Sequence, residues 1–397
     1  MQSFNVEQAV SGYLATVSGA ARANSNAYFE GGYWIILWSA LIAIGIFWML
    51  LHFGIASRLA RWADRVTGNR PALSSLVFAL PYAILVELLT LPWDIYIDYA
   101  REHRYGLSNQ AFGEWFGEWV IGTIVDAVFL AIIVVTVLAI VRKTLERWWV
   151  WSSMAVIAIM IFAIAIAPVA IAPLFNDYTP MPEGAVKAQV LAMARANGVP
   201  ADNVYVVDQS RQSDRISANV QGLGPTVRIS LNDNLLNKST PAEIRSVMGH
   251  ELGHYVLNHF WKLIGFLTLL ILALFGFVNW LMPWMIARWG GRWGVLHGAD
   301  TVTVPMGGIL VTLFFLVATP FTNSLIRVQE QEADLFGLNA ARAPDGFARV
   351  AMKLSTYRKL EPGKWEEIIF FDHPSGRVRA ETAMRWKAEH LGEPGVE

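Results

Sequence analysis

Residues 250–254 of this 397-residue chain read His-Glu-Leu-Gly-His, a pattern whose residue types and spacing suit metal-dependent hydrolysis. On an α-helix, residues four apart share a face, so His250 and His254 can bind one ion together. Glu251 is rotated toward the open side of such a site, where a carboxylate can take a proton from water. Two imidazoles with a free carboxylate beside them are what a zinc hydrolase needs. The alternative is a surface helix that carries two solvated histidines.

A catalytic zinc site takes a third protein ligand and leaves its fourth position to water. The charged segment 327–334 offers candidates for that ligand. Glu330 and Asp334 are four residues apart and share a helix face, whereas Glu332 points elsewhere. We assign Glu330 as the third ligand, with Glu332 as the open alternative. Asp334 is expected to accept a hydrogen bond from the free ring nitrogen of a ligating histidine. An exposed charged helix is the other interpretation of this segment.

The polar stretch between residues 176 and 259 contains the elements that would position the motif. Residues 240–243, Thr-Pro-Ala-Glu, have the form of a capping box with proline at the first helical position, and predict the start of the motif's helix. The pattern also predicts a helix over Ala185–Ala196, and strands over Val204–Val207 and 227–231. Residues 176–180 are predicted to form a loop.

Composition places much of the chain in a membrane. Hydrophobic residues make up 54% of the sequence and charged residues 16%, whereas soluble domains have about 25% charged residues. Many of the 17 Trp lie near the ends of apolar runs, where their rings favour the membrane interface. The expected fold class is therefore mostly α, a polytopic membrane protein with about six transmembrane helices. The runs cover residues 34–54, 74–93, 120–141, 152–173, 260–281 and 304–321.

These runs divide the chain into four parts. Residues 1–175 form a membrane region with four spans, 176–259 a soluble part with the motif, 260–321 two more spans, and 322–397 a second soluble part. Because two spans separate the soluble parts, both are expected on one side of the bilayer, with the metal close to the membrane face. The absence of Cys leaves His and carboxylates as metal ligands, and the net charge of −1 gives no reason to expect nucleic acid.

Two acidic residues, Glu87 and Asp126, fall within predicted spans. A carboxylate in hydrocarbon is costly and usually faces protein or water. The pair could line a hydrated chamber that leads to the metal, or could form helix-packing contacts, and the sequence favours neither. Lys262, near the start of the fifth span, is expected to extend its ammonium group to the membrane surface.

Around the motif the sequence resembles the integral-membrane type I CAAX prenyl proteases, which are zinc endopeptidases within the gluzincins. The segments that carry the resemblance follow the family's order along the chain. They are Leu-Pro-Trp at 91–93, Glu-His-Arg-Tyr-Gly at 102–106, Ile-Ala-Pro-Leu-Phe-Asn at 171–176, Ser-Ala-Asn at 217–219, the capping segment, Glu-x-x-Ala-Asp ending at 334, and His-Pro at 373–374 with Arg379.

The resemblance implies a gluzincin-like α+β metalloprotease domain that is split around the last two spans. It also implies one Zn²⁺ per chain, with His250, His254 and Glu330 as ligands and Glu251 as the general base. The implied activity is hydrolysis of peptide bonds in a peptide or protein substrate.

Three further roles follow from the resemblance alone. His373 and Arg379 would stabilise the oxyanion that forms when water attacks the scissile carbonyl. Asn219 would help to hold the substrate backbone beside an edge strand. Without the resemblance, His373 is one histidine before a proline and is typical of a turn.

The resemblance does not fix the substrate. The sequence resembles bacterial-type members of the family, and many bacteria make no prenylated CAAX proteins. Two functions therefore stay open: processing of a lipid-modified peptide and clearance of damaged membrane proteins. The expected location is the bacterial inner membrane. Animal and fungal members have seven spans and six are expected here, with the first one missing.

The side of the membrane that carries the metal is an open question. The short loops on the side away from the motif are rich in basic residues, and the positive-inside rule would then place the metal outside. The family would place it in the cytosol, which we favour because large soluble segments blur the charge count. The basic residues compared are Arg58, Arg61, Arg65, Arg70, Arg142, Lys143, Arg147, Arg288 and Arg292 against Arg22, Arg101 and Arg104.

A second function class is a transporter or substrate-holding membrane protein with a structural zinc ion. Such a site would be closed by a fourth protein ligand, for which His259 and Glu332 are the candidates. Glu87 and Asp126 would then mark a permeation path.

Overall fold

A computed structural model describes residues 4–144, 146–222, 227–295 and 297–396. Within these ranges most residues are helical, and four short strands form one sheet. The helices are α1 Val6–Ala15, α2 Gly19–His52, α3 Ile55–Thr67, α4 Pro71–Asp94, α5 Arg101–Arg104, α6 Phe112–Thr144, α7 Trp148–Ile166, α8 Ala185–Ala196, α9 Asp233–Lys238, α10 Pro241–Val256, α11 His259–Met285, α12 Gly291–Trp293, α13 Thr303–Ala341, α14 Pro344–Leu354, α15 Lys364–Phe370 and α16 Gly376–Glu389. The strands are β1 Tyr178–Pro180, β2 Val204–Val207, β3 Ala218–Gln221 and β4 Arg228–Asn232.

In the described part of the chain, 6 helices are long and apolar enough to cross a membrane, which confirms the expected fold class. The first ends at His52, two residues before the end of its predicted run, and each of the other five contains one predicted run and continues beyond both ends of it. They are Gly19–His52, Pro71–Arg104, Phe112–Thr144, Trp148–Leu174, His259–Trp293 and Thr303–Ala341.

The last of these helices, α13, joins the membrane to the candidate site without a break. Its 39 residues span about 58 Å at 1.5 Å per residue, and Pro320 lies inside it without ending it. The predicted sixth run and the charged segment with Glu330 are therefore parts of one rigid element. A carboxylate at the soluble end is held directly by a transmembrane helix.

The four strands follow the order β1-β2-β4-β3, with β2 and β4 parallel and the outer pairs antiparallel. The helix predicted at Ala185–Ala196 and the strand at Val204–Val207 have the predicted bounds. The strand predicted over 227–231 lies one residue later. The loop predicted over 176–180 is wrong at its end, where β1 pairs with β2. This strand is only three residues long and is held by backbone hydrogen bonds, which residue types do not reveal.

The sheet is packed against α10, and this contact orients the histidine motif. Ile244, Met248 and Leu252 are spaced four apart on one face of α10 and are fully or nearly fully buried against Ile229 and Leu231 of β4. The other face of α10 carries both motif histidines. Burial of the apolar face thereby turns the imidazoles away from the sheet and toward α13.

A cavity of about 720 Å³ lies among the spans and is lined largely by apolar side chains such as Phe47, Leu130 and Met282. Among the described residues, Glu87 is the single acidic residue of its lining, and Asp126 is not in that lining. The cavity also touches Ile286 and residues near the start of α13, at the end of the spans opposite the histidine motif.

Candidate metal centre

Three side chains that could hold a metal ion meet where α10 crosses α13. Nε2 of His250 and Nε2 of His254 are 3.1 Å apart. The Glu330 carboxylate lies beside both imidazoles, with Oε2 3.3 Å from His250 Nε2 and Oε1 3.2 Å from His254 Nε2. One ligand atom from each residue lies within 4.8 Å of the others. Two imidazole nitrogens and one carboxylate oxygen suit zinc and leave room for a fourth ligand.

The start of α10 is fixed by the expected capping box. The Thr240 hydroxyl accepts a hydrogen bond from the backbone N–H of Glu243 at 3.4 Å, and the Glu243 carboxylate accepts one from the backbone N–H of Thr240 at 2.7 Å. Glu243 is only 1% exposed and also accepts a hydrogen bond from Lys353 Nζ at 2.7 Å. These contacts tie the motif's helix to α14.

His250 is held from behind by a buried cluster of charges. Its Nδ1 lies 2.8 Å from Oδ1 of Asp334, the residue expected to orient a ligating histidine. Arg379 Nε donates to Asp334 Oδ2 at 2.9 Å, and Arg379 Nη2 donates to Glu330 Oε2 at 2.8 Å. Burial alone would lower the pKa of His250, but Asp334 and Glu330 raise it to about 10. Two carboxylates therefore favour positive charge at this position, which a metal ion would also satisfy.

His254 is also held by a chain of side-chain contacts, which was not predicted from the sequence. Its Nδ1 lies 2.8 Å from Nδ1 of His259, whose Nε2 is 3.0 Å from Glu332 Oε2. Lys262 Nζ donates to the same carboxylate oxygen at 2.6 Å. The chain of contacts fits a His254 that donates from Nδ1 and keeps Nε2 free as a metal ligand. Lys262, expected only to reach the membrane surface, has this carboxylate as its partner.

Glu251 lines a cavity of about 220 Å³ together with His250, Glu330 and Arg379. Burial raises the pKa of Glu251, whereas the neighbouring imidazoles of His250 and His254 favour its charged form. A carboxylate with a raised pKa beside a candidate metal site is well suited to accept a proton near neutral pH.

His373 and Arg379, expected to stabilise the oxyanion, line the same cavity. His373 Nε2 lies 3.3 Å from Glu330 Oε2, and its Nδ1 lies 2.8 Å from Asp372 Oδ1. Burial and the positive charge of Arg358 lower the pKa of His373, and the contact with Asp372 raises it only in part. Both residues are thus brought within reach of a group bound at the three candidate ligands.

Asn219 lies on β3, an edge strand of the sheet, opposite Ser230 of β4. The cavity is lined by its neighbours Ser217 and Ala218 rather than by Asn219 itself. Oδ1 of Asn219 is buried and has no hydrogen-bond partner among the described residues. The structure thus puts the predicted residue on the expected strand but not in the wall of the cavity.

Comparison with known proteins decides the family. The sequence model of peptidase family M48 matches residues 180–387, and the model described as the CAAX prenyl protease N-terminal part, with five membrane helices, matches residues 10–177. The chain belongs to peptidase family M48. Residues 10–177, which the N-terminal model matches, contain four of the candidate spans of this chain.

Individual relatives of this M48 chain cover most of its length. It is 27% identical over 344 residues to an uncharacterized metalloprotease of Bacillus subtilis, covering 86% of this chain and 80% of the relative. It is 28% identical to a CAAX prenyl protease 1 homolog of Arabidopsis thaliana, covering 78% of this chain and 72% of the relative. The crystal structure of S. mikatae Ste24p has the same fold, with a TM-score of 0.76, 20% identity and coverage of 95% and 94%.

The expected family, enzyme class and membrane topology class are confirmed, and this M48 protein is a membrane-embedded zinc endopeptidase. The alternative of a closed structural zinc site is not favoured. His259 lies behind His254, at the ring nitrogen that points away from Glu330, and Glu332 lies behind His259. Neither candidate is placed as a fourth ligand.

Proposed function

We propose that His250, His254 and Glu330 bind one Zn²⁺ per chain and that Glu251 is the general base for peptide hydrolysis. The observation that carries this proposal is the convergence of the three donor atoms within 4.8 Å, beside a cavity that His250, Glu330 and Glu251 line. The nitrogen and oxygen donor set fits zinc better than Mg²⁺ or Ca²⁺, which prefer oxygen ligands alone.

A bound zinc ion would supply a Lewis acid that polarises both the attacking water and the scissile carbonyl. Glu251 takes the proton from the water and passes it to the leaving amine. His373 and Arg379 donate hydrogen bonds to the carbonyl oxygen as it gains negative charge. Asp334 keeps His250 in the orientation and tautomer that binding requires.

The substrate we propose is a peptide segment of a membrane-associated protein, including lipid-modified chains. An extended segment can add to the free edge of β3, which leads into the cavity at Ser217 and Ala218, and Asn219 is the proposed contact for its backbone. The CAAX prenyl proteases among the relatives support a lipid-modified substrate.

The proposed location is the inner membrane of a bacterium, with the metal centre on the cytosolic side. His254 lies on α10, five residues before α11 begins, and Glu330 lies toward the end of α13, so the proposed site is close to one membrane face. Protease protection of a C-terminal tag in sealed inside-out and right-side-out vesicles tests the orientation. Digestion of the tag only in inside-out vesicles is the expected result, and digestion only in right-side-out vesicles would reverse the assignment.

The function is tested with purified full-length protein and a mixed peptide library. We expect cleavage that stops on chelation and returns when zinc is added. The Glu251→Gln protein should bind zinc with the wild-type stoichiometry and leave the library intact. Stoichiometric zinc without cleavage by the wild type would instead support a structural ion.

A further inference from the structure

Arg358 is a charged side chain in the catalytic cavity that the proposed mechanism does not use. It lies between α14 and α15 and lines the cavity together with His250, Glu330 and His373. Across the described ranges, no carboxylate forms a salt bridge with its guanidinium and its side chain makes no hydrogen bond. The guanidinium carbon lies 5.8 Å from the centre of the neighbouring Tyr357 ring. A guanidinium that lines a cavity without a hydrogen-bonding partner in the protein is available to an anion that enters the cavity.

The acidic groups around Arg358 are already committed to other partners. Asp372 is 2.8 Å from His373 Nδ1, and Glu330 contacts both candidate histidine ligands and Arg379. Arg379, the other guanidinium of the cavity, differs from Arg358 because two carboxylates neutralise it. Burial and the charge of Arg379 both lower the pKa of Arg358, and the charges of Asp372 and Glu330 offset this only in part.

We propose that Arg358 is a substrate-binding residue that selects peptides by a carboxylate group close to the scissile bond. The inference rests on the proposed function, since a peptide is then the molecule that enters the cavity. A guanidinium matches a carboxylate with two parallel hydrogen bonds, and such pairs are strongest where water is excluded. The carboxylate is either the free C-terminus of a chain cut near its end or an acidic side chain.

The test compares matched peptide libraries on the full-length, zinc-loaded protein in detergent. One library has free C-termini and a second has C-terminal amides. In a third and a fourth, both amidated, a single Glu or a single Gln is placed at each position in turn. We expect wild-type kcat/KM to favour a carboxylate-bearing form by roughly ten- to a hundredfold, mainly through KM. Preference for free C-termini or for Glu identifies the source of the carboxylate.

Three variants connect this preference to the residue. Arg358→Gln should cleave carboxylate-bearing and neutral peptides at similar rates, and Arg358→Lys should restore part of the preference. Arg385→Gln, which changes an exposed arginine of α16, should behave as the wild type. An equal wild-type rate for all four libraries, or a preference that survives in Arg358→Gln, overturns the proposal.

A binding measurement separates this inference from the proposed function. The zinc-loaded Glu251→Gln protein is titrated with a tripeptide in acid and amide forms, with and without the Arg358→Gln change. Tighter binding of the acid form that depends on Arg358 supports the inference even if the wild type cleaves nothing. Equal binding of both forms overturns it even if chelator-sensitive cleavage is found. Thermal unfolding of each variant verifies that it is folded.

Discussion

Gly249 and Gly337 face each other where α10 crosses α13, and their missing side chains let the two backbones touch. A Cβ atom on Gly337 would lie 2.7 Å from the backbone nitrogen of His250, and one on Gly249 would lie 2.8 Å from the carbonyl oxygen of Gly337. Gly249 lies between one and two turns before His254 on α10, and Gly337 lies about two turns after Glu330 on α13. The close approach of the backbones is what allows a short carboxylate on one helix to reach two imidazoles on the other.

Replacement of Gly337 by Ala should therefore damage the metal centre. The added methyl group meets backbone rather than a flexible side chain, so the helices must move apart, at a cost of about 1–3 kcal/mol. We expect a lower melting temperature, weaker zinc binding and reduced cleavage. The matched control is Gly265→Ala in α11, where no atom lies within 4 Å of the new Cβ. Unchanged zinc affinity in Gly337→Ala would show that the site tolerates a wider crossing.

Loss of the proposed general base should separate chemistry from metal binding. Glu251→Gln keeps the size of the side chain and leaves the three candidate ligands intact, but it cannot accept a proton. We expect kcat to fall by roughly a hundred- to ten-thousandfold. Zinc content by elemental analysis should stay at one per chain. Wild-type turnover in this variant would contradict the assigned role, and loss of zinc would make Glu251 a ligand instead.

The residues behind the histidines should control zinc affinity without touching the ion. Asp334→Asn removes the acceptor beside His250 Nδ1, and Glu332→Gln weakens the relay through His259 to His254. Each change is expected to weaken zinc binding by roughly ten- to a hundredfold, measured by competition with a calibrated chelator. The effect of Asp334→Asn should be the larger, because Asp334 is almost fully buried and Glu332 is half-exposed. The reverse order would argue that His254 rather than His250 depends on its partner.

The helical part of this fold was accessible from sequence, for a physical reason. A membrane span must hide its backbone within itself and its apolar length is set by the bilayer, so long apolar runs identify it. The motif's helix was equally accessible, because Thr240 and Glu243 satisfy its first N–H groups locally. Short strands such as β1 were missed, since partners distant in the sequence hold them through backbone hydrogen bonds.

Some residues of the candidate site were likewise predictable from the sequence, and others were not. The pairing of His250 with His254 follows from helix geometry, and Asp334 follows from its four-residue spacing to Glu330. The relay through His259 was missed because His259 begins another helix, and the turn at Asn258, with φ 56°, sets its direction. Arg358 carried no signal at all: one arginine in a charged segment acquires its meaning only when the cavity around it is known.

The ion pair at the start of α10 should make stability depend on pH. Burial of Glu243 would by itself raise its pKa, but the hydrogen bonds from Lys353 and from the capping box hold that pKa below its usual value. A carboxyl with a lowered folded-state pKa stabilises the fold above its unfolded pKa, about 4.3, and that contribution is lost as the pH falls through the folded value. Glu243→Gln should therefore lower the melting temperature at neutral pH.

This stability difference is expected to be about 1 kcal/mol, since Lys353 and Arg349 are both more than a third exposed and water screens their charges. It should begin to shrink as the pH falls below about 4.3 and should vanish below the folded-state pKa, because the Glu243 carboxyl is then uncharged in both the folded and the unfolded protein. Glu381→Gln in α16 is the control, because its partner Arg385 is largely exposed. Melting curves of the zinc-free proteins between neutral and acidic pH make the comparison without interference from ligand protonation. A difference that persists unchanged in acid would mean that Glu243 acts through packing rather than through its charge.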